Sequence, residues 1–308
     1  MEPSSPAPVP KIVVFDTNAY RGLVHRRTPE AAKLRAQRLK AAENARGIRA
    51  FTNPFVIVEL LSHLADLSDP WFADCLGGTL ALRDHCRLET PVNTVATMAD
   101  PESLLAHALF GVRWPDGEHN LQMLIGLVET IYQSPHDVLP RLAEPLVSIA
   151  EANAAQEKTF AVLMQASFHG IDLTDPEVRR ELNADLRGEE GRKLAAAVTV
   201  LRIGQYVGQS GVESETWQRA AWVARQFPAA TWLHAEKLRQ MAIDGLDIWK
   251  HRNSVWDIDA AFAISQQVEG EKVTLVTTET DFHRAAAAVG QAEYVLSLDT
   301  YLRLLDLA

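Results

Sequence analysis

Apolar positions form short continuous runs at the two ends of the chain and step at helical spacing through its middle. Ile12-Val13-Val14-Phe15 is an unbroken, largely β-branched run, the pattern of a strand buried on both faces as in parallel sheets. It stops at Asp16-Thr17-Asn18. Thr28, followed by Pro29 and Glu30, carries the signals of a helix start, and that helix is predicted to reach Asn44-Ala45 before Gly47. Residues 48–52 read as a second short strand, and Asn53-Pro54 opens a helix over 55–67. The far end repeats the alternation: a helix over 257–267, a strand over 273–277, a helix over 281–289, a strand over 294–298, and a closing helix over 300–307 capped by Asp299. Strands separated by helices imply parallel pairing through crossover connections, hence an α/β fold.

No convincing strand lies between. Leu142, Leu146, Ile149 and Ala150 step along one helical face, as do Leu194, Val198 and Leu201, while Pro70, Pro115, Pro135, Pro176 and Pro228 punctuate the segments. No internal repeat is visible. The predicted organisation is a short disordered tail over 1–10 and one α/β domain split between 11–66 and 245–308. A large all-helical insertion over 67–244 interrupts it.

Composition narrows the class. With 308 residues, 47% hydrophobic and only 16 Gly and 15 Pro, the chain can build a sizeable core and is not low-complexity. No apolar run approaches the ~18 residues a spanning helix needs, so no membrane association is expected. The opening MEPSSPAPVP lacks the positive end and apolar stretch of a secretory signal. Cys75 and Cys86 give neither a disulfide framework nor a zinc knuckle, so a reduced, cytoplasmic protein is expected.

Four acidic positions stand out within the α/β segments. Asp16 follows the first strand, at the edge where ligands gather in open parallel sheets, although a turn or helix cap is an ordinary use of Asp there. Glu59 is the single charge in Pro54-Phe55-Val56-Ile57-Val58-Glu59-Leu60-Leu61, on a face that must be at least half buried; it calls for a cation or an arginine partner. Asp257 and Asp259 open an Ala-rich helix, where capping competes with function. Glu279 and Asp281 follow the strand over 273–277. Carboxylates gathered at ~4–6 Å repel one another unless a hard cation sits among them, and an all-oxygen set points to Mg²⁺ or Mn²⁺ rather than zinc. Such a site cleaves phosphodiesters with activated water and needs no side-chain nucleophile.

In order and type, Val13-Val14-Phe15-Asp16-Thr17-Asn18, the stretch around Glu59, Asp259-Ala260-Ala261-Phe262-Ala263 and Thr277-x-Glu279-x-x-Phe282 resemble the successive motifs of PIN-domain nucleases. The segment over 294–304 is similar to that fold's final strand and helix. The resemblance covers roughly 11–66 and 245–308 and leaves the middle unexplained. It implies a PIN-like parallel-sheet α/β/α sandwich and a Mg²⁺- or Mn²⁺-dependent ribonuclease acting on RNA. It also implies, for toxin-type members, an inhibitory protein (antitoxin) as partner. Carried over by position, Asp16 and Glu59 match the first two metal-site acids. The third is Asp257 or Asp259, with Asp259 favoured by its small and apolar neighbours. At the fourth, Glu279 holds the family's register and Asp281 its usual chemistry. Asn18 and Thr277 are placed to support the acids or a bound phosphate. The size of the insertion departs from stand-alone toxins; gating, RNA selection, inhibitor binding and homodimer formation are its candidate roles.

An overall charge of −10 argues against simple electrostatic capture of nucleic acid. Locally, however, Arg26, Arg27, Lys33, Arg35, Arg38, Lys40, Arg46 and Arg49 face only Glu30 and Glu43. Arg35 and Arg38 are therefore candidates for holding phosphates, against the plain reading of a solvated helix face. Trp217, Trp222, Trp232, Trp249 and Trp256 crowd one segment and read as core before base-stacking platforms. His251-Arg252-Asn253 precedes the acidic helix, which makes Arg252 a substrate-contact candidate. The Arg113-x5-His119 spacing of another ribonuclease class is interrupted by Pro115-Asp116-Gly117 and is set aside. A covalent phosphohydrolase using Asp16 would want a second acid two residues on, where this chain has Asn18. A scaffold that has lost catalysis and binds nucleic acid or protein through the insertion is the other alternative, favoured by Glu279 in the fourth position.

Overall fold

The computed structural model describes residues 9–88, 94–114, 117–209 and 213–307. It has β1 (Ile12–Phe15), α1 (Thr17–Val24), α2 (Pro29–Asn44), β2 (Arg49–Phe51), α3 (Pro54–Ser62) and α4 (Phe72–His85) in its first part. The middle contributes α5 (Pro101–Phe110), α6 (Gly117–Gln133), α7 (Pro135–Val138), α8 (Ala143–Ala166), α9 (Pro176–Asp185), α10 (Glu189–Tyr206), α11 (Glu213–Gln226) and α12 (Pro228–Ile243). The last part holds α13 (Ile248–His251), α14 (Ser254–Phe262), β3 (Gln267–Val268), β4 (Glu271–Thr277), α15 (Thr280–Ala288), β5 (Val295–Ser297) and α16 (Leu298–Leu304). The fold is thus mixed α/β with a mostly parallel sheet. Apart from residues 9 and 10, the expected tail lies outside the described residues.

β1 and β4 form the centre of the sheet, paired in parallel from Ile12↔Val273 to Phe15↔Val276. β2 adds to β1, and β5 adds to β4, both in parallel. The continuous apolar runs earn these central places: every residue of β1 is buried, as are the last five of β4. The sequence did not signal β3, which pairs antiparallel with the start of β4. Its two-residue turn holds Glu269 and Gly270 at φ 53° and 82°, the left-handed pair that matches strand twist in a tight hairpin. A second difference lies before α2. The chain does not loop from Asp16 to Thr28 but forms α1 at once, burying Ala19, Tyr20, Leu23 and Val24 on one face. The closing helix also starts earlier than expected, because Ser297 caps it by accepting from the Thr300 N–H at 3.1 Å, displacing Asp299 from that role.

The middle is helical as its pattern indicates, but α4 and residues 94–98 are built into the α/β part. Thr52 and Thr97 form an isolated parallel bridge beside β2, and Arg87 bridges Val95. α4 lies against both α1 and α2. Gly77 and Gly78 let it approach closely: a Cβ there would meet side-chain atoms of Val24 in α1 and of Leu60 in α3 at 3.0 Å. One continuous cluster of buried apolar residues runs from the strands through the middle helices.

Within this core lies a closed polar network. His85 of α4 and Glu43 of α2 are fully buried and meet at 2.8 Å. Tyr301 donates to Glu43 at 2.6 Å, and the Tyr20 hydroxyl meets the other His85 ring nitrogen at 2.9 Å. The Phe15 ring packs on His85, Tyr20 and Tyr301, so α1, α2, α4 and α16 are fastened together over β1. Burial alone would lower the His85 pKa, but Glu43 and Cys86 beside it raise it to about 10. A histidine held charged in this way adds stability fully below its ordinary value of 6.5, and that contribution is lost as pH rises towards 10. Replacing Glu43 by Gln should therefore cost about 3–5 kcal/mol near neutral pH, because it strands a buried charge. Urea unfolding followed by circular dichroism should show wild-type stability falling between pH 6.5 and 10, and Glu43→Gln with a much flatter dependence.

Candidate functional site

β1 leads away to β2 on one side, and β4 leads to β5 on the other, so the carboxyl ends of β1 and β4 flank the point where the sheet order reverses. In open parallel sheets crossover loops part at such a point and ligands gather there. Asp16 and Thr277 are the first residues beyond the last β1–β4 pair. The Asp16 N–H still bonds the Val276 carbonyl at 3.2 Å.

Asp16 is a helix cap as well as a candidate acid. One carboxylate oxygen accepts from the Ala19 N–H at 2.6 Å at the start of α1, and the other accepts from the Thr277 hydroxyl at 2.5 Å. Thr277 in turn accepts from the Glu279 N–H at 2.9 Å, which sets the turn after β4. Glu59 projects from α3 and takes the Thr17 hydroxyl at 2.5 Å. Glu279 accepts from the Asn18 side-chain amide at 2.7 Å, and Asn18 is held by Arg21 at 3.0 Å. Arg21 lies 3.6 Å over the Trp71 ring. Thus, of three consecutive residues, Asp16 supplies one carboxylate of the site, and Thr17 and Asn18 each hold another.

Asp257 and Asp281 stand beside these three acids, bridged by Lys237 of α12, whose ammonium is 2.8 Å from Asp257 and 3.2 Å from Asp281. Asp281 also pairs with Arg284. The electrostatics divide accordingly. Burial pushes the Asp16 pKa up to about 7, with repulsion from Glu59 and Glu279 adding to it against the Thr277 and Ala19 hydrogen bonds. Burial likewise raises Glu59 to about 7, and Asp257 adds to the shift. Glu279 is raised by burial and by Asp257 and Asp281. Asp281 moves the other way: burial opposes its charge, but Arg284 and Lys237 hold it below the ordinary value. Among the described residues, Asp16, Glu59 and Glu279 form no ion pair, and no three His, Cys, Asp or Glu side chains converge closely enough to hold a metal ion as they stand.

Several expectations need correction. Asp259, favoured over Asp257, is not in this group. Its buried carboxylate receives Arg202 at 2.7 and 3.4 Å, and Arg202 also lies 3.7 Å from Glu102. Asp257 and Asp259 are two residues apart on one helix, about 200° around it, so they cannot share a target. The basic stretch does not line the crevice either. α2 runs back from the carboxyl edge to the start of β2, which carries most of its charges away: Arg35 bonds the Leu307 carbonyl at 2.9 Å, Arg46 pairs with Asp306, and Arg49 pairs with Glu269. Arg38 is exposed on that helix. Arg252 is exposed and 3.9 Å from Glu157, while His251 is buried against Asp244 at 3.0 Å. Of the tryptophans, Trp256 is core, stacked with Phe55, whereas Trp217 and Trp249 are exposed.

Lys237, Thr17 and Arg21 were missed. Thr17 is adjacent to Asp16, but a lysine from a helix remote in sequence carries no local signal of its destination. Asn53, at the end of β2 and level with Asp16, was read only as a helix start. Its amide is fully buried, and among the described residues neither its nitrogen nor its oxygen has a hydrogen-bond partner. No family model, curated protein or solved structure matches the chain.

Two stability measurements separate these environments. A carboxyl whose pKa rises from 3.8 to about 7 on folding favours the fold at low pH and loses that contribution as pH climbs through 7. Asn keeps the helix cap without the charge. Asp16→Asn should therefore stabilise the metal-free protein more at pH 8 than at pH 5, by ~1–3 kcal/mol, in urea titrations with EDTA. Asp259→Asn should destabilise by about 3–5 kcal/mol, because Arg202 is left buried without its main partner. Asp257→Asn should cost under about 1 kcal/mol, since its side chain is 37% exposed and Lys237 retains Asp281. Equal losses in the last two variants would contradict the assignment.

Proposed function

We propose that the protein is a PIN-like, Mg²⁺- or Mn²⁺-dependent endoribonuclease, its α/β/α core completed by the helical middle. One observation carries this reading: Asp16, Glu59 and Glu279 lie around the sheet's reversal point, where burial and neighbouring carboxylates raise their pKa values and, among the described residues, none of them forms an ion pair. Their donor chemistry fits a hard cation, being carboxylate oxygen throughout with Asn and Thr oxygens alongside. As placed, the three carboxylates are turned to Thr277, Thr17 and Asn18 and, among the described residues, do not converge on one point. When bound, Mg²⁺ or Mn²⁺ supplies activation of water and neutralisation of charge developing on a phosphodiester.

The remaining steps belong to the chain. Thr277 and the Ala19 N–H hold Asp16 in one orientation. Thr17 and Asn18 do the same for Glu59 and Glu279. Arg21, flattened on Trp71, presents a guanidinium beside the acids and takes over the phosphate-holding role first assigned to Arg35 and Arg38. A cation is taken up by ionised carboxylates, so with metal-free pKa values near 7 its affinity should rise as pH climbs through 7. A toxin paired with an antitoxin, and a homodimer built on the middle helices, are consistent extensions of this reading.

A binding scaffold without catalysis is the second reading, favoured by the separation of the acids and by the lysine already placed among them. Incubation with single-stranded and structured RNA and DNA, with Mn²⁺ or EDTA, distinguishes the two. Wild type should cleave RNA only with Mn²⁺, and Asp16→Asn and Glu279→Gln should each lose at least about a hundredfold in rate while remaining folded. Metal-dependent cleavage undiminished in folded Asp16→Asn would overturn the site, and absence of Mn²⁺ binding by calorimetry would favour the scaffold.

A further inference from the structure

α12 turns Lys237 towards the acids, and with Trp232, Glu236 and Arg239 it lines a separate cavity of about 490 Å³. α15 contributes Arg284 to that cavity, and the turn from α9 into α10 contributes Arg187 and Arg192. Among the lining residues, four guanidiniums thus face one carboxylate. Glu236 is already taken by Arg239, which also donates to Asn183 at 3.0 Å. Arg284 pairs with Asp281 of the acidic group. Among the described residues, Arg187 and Arg192 form no ion pair. The local sequence explains their placement. Gly188 is the N-cap of α10 and has no side chain, so the first N–H groups of that helix lack a side-chain acceptor. Gly191 lets Leu186 fold back on the first turn, since a Cβ there would run into the Leu186 carbonyl. Glu189 and Glu190, the acids of that turn, are held by Lys193 at 3.1 and 2.8 Å. An excess of forked donors at a helix start, walled by a half-buried indole, is chemistry that holds phosphate.

We propose that this cavity is a backbone subsite for a polynucleotide, in which Arg187 and Arg192 hold phosphates adjacent to the one presented to the acids. The inference rests on the nuclease reading for its ligand and extends that site onto the helical middle. Four guanidiniums gather more positive charge than a lone anion needs, and a run of phosphates matches it. The cavity adjoins the acidic group through one shared side chain, Arg284, which lines the first and bonds Asp281 in the second. Guanidiniums there read phosphate and not base, so they fix register without sequence preference.

Binding of a fluorescein-labelled oligouridylate of about 12 nucleotides, followed by anisotropy in EDTA between about 50 and 200 mM KCl, tests this on the full chain. Arg187→Gln/Arg192→Gln should bind at least about tenfold more weakly than wild type at the lower salt. It should also flatten the plot of log affinity against log salt by about 1.4, at ~0.7 for each phosphate contact. Arg35→Gln/Arg38→Gln removes the same charge from α2 and should stay within about twofold of wild type. Equal weakening in both double variants would reduce the effect to net charge and overturn the subsite, as would uridine monophosphate binding as tightly as the oligomer. So would failure of folded wild type to bind the oligomer at the lower salt. Melting curves check folding; should the double variant not fold, Arg187→Gln alone, at an exposed position, should flatten the slope by ~0.7. Because EDTA removes the metal-dependent step, the two readings fail separately. RNA bound through these arginines but left uncut with Mn²⁺ would sink the nuclease reading and keep the subsite. RNA cut with Mn²⁺ but bound equally well by the double variant would sink the subsite and keep the nuclease.

Discussion

The parallel pairing of β1 with β4 is the constraint on which the rest depends. It joins segments some 260 residues apart and fixes Phe15 opposite Val276, so that Asp16 and Thr277 must emerge side by side. Parallel neighbours need a long crossover, and a sheet whose connections leave its centre in opposite directions must open a crevice between them. The site is a consequence of that topology. Asp16 serves the fold and the site together: it ends the strand, caps α1 and receives the hydroxyl of the neighbouring strand's last residue. Thr17 and Asn18, the first residues of the helix it caps, then reach Glu59 and Glu279.

Stability at such a site is bought elsewhere. Gathering partly buried carboxylates without ion pairs raises their pKa values, which means that the folded state resists their ionisation at neutral pH. The opposing contribution comes from the apolar cluster and from two buried ion pairs on different elements, His85 with Glu43 and Arg202 with Asp259. These pairs do a different job from the site acids. Each buried charge there meets an opposite one at 2.7–2.8 Å, and each pair joins elements distant in sequence, α2 to α4 and α10 to α14. Disturbing them should loosen packing, whereas removing a site charge should relieve strain.

What could be read in the sequence followed from local physics. Continuous β-branched runs marked the strands, Thr28-Pro29 marked α2, and a lone Glu59 in an apolar helix marked a residue that needed a special environment. Position after a strand was enough to single out Asp16 and Glu279, while Thr277, the last residue of its strand, came only with the family resemblance. The failures share one cause, the orientation of helices relative to the sheet. Asp257 and Asp259 both sit among apolar neighbours, and only the rotation of α14 decides which faces the crevice and which faces Arg202. Sequence proximity to Asp16 puts the basic residues over 26–49 near the acids, but a crossover helix antiparallel to its strands carries its C-terminal charges to the other edge. Lys237 was invisible for the same reason, since its role depends on how α12 lies across α14 and α15.

The helical middle is therefore not an appendage to a finished α/β core. α4 fills the layer beside α1 and α2 through two glycines, and residues 94–98 extend the bonding at the edge of β2 through Thr52 and Met98. α12 supplies the ammonium that neutralises Asp257 and Asp281, and α10 supplies the guanidinium that neutralises Asp259. Removing the middle would expose the apolar faces of β1 and α14 and would leave buried carboxylates without their cations. Any change in the packing of α12 is transmitted to the charge balance of the crevice through a single side chain, so the same helix that completes the core also sets the charge at the site.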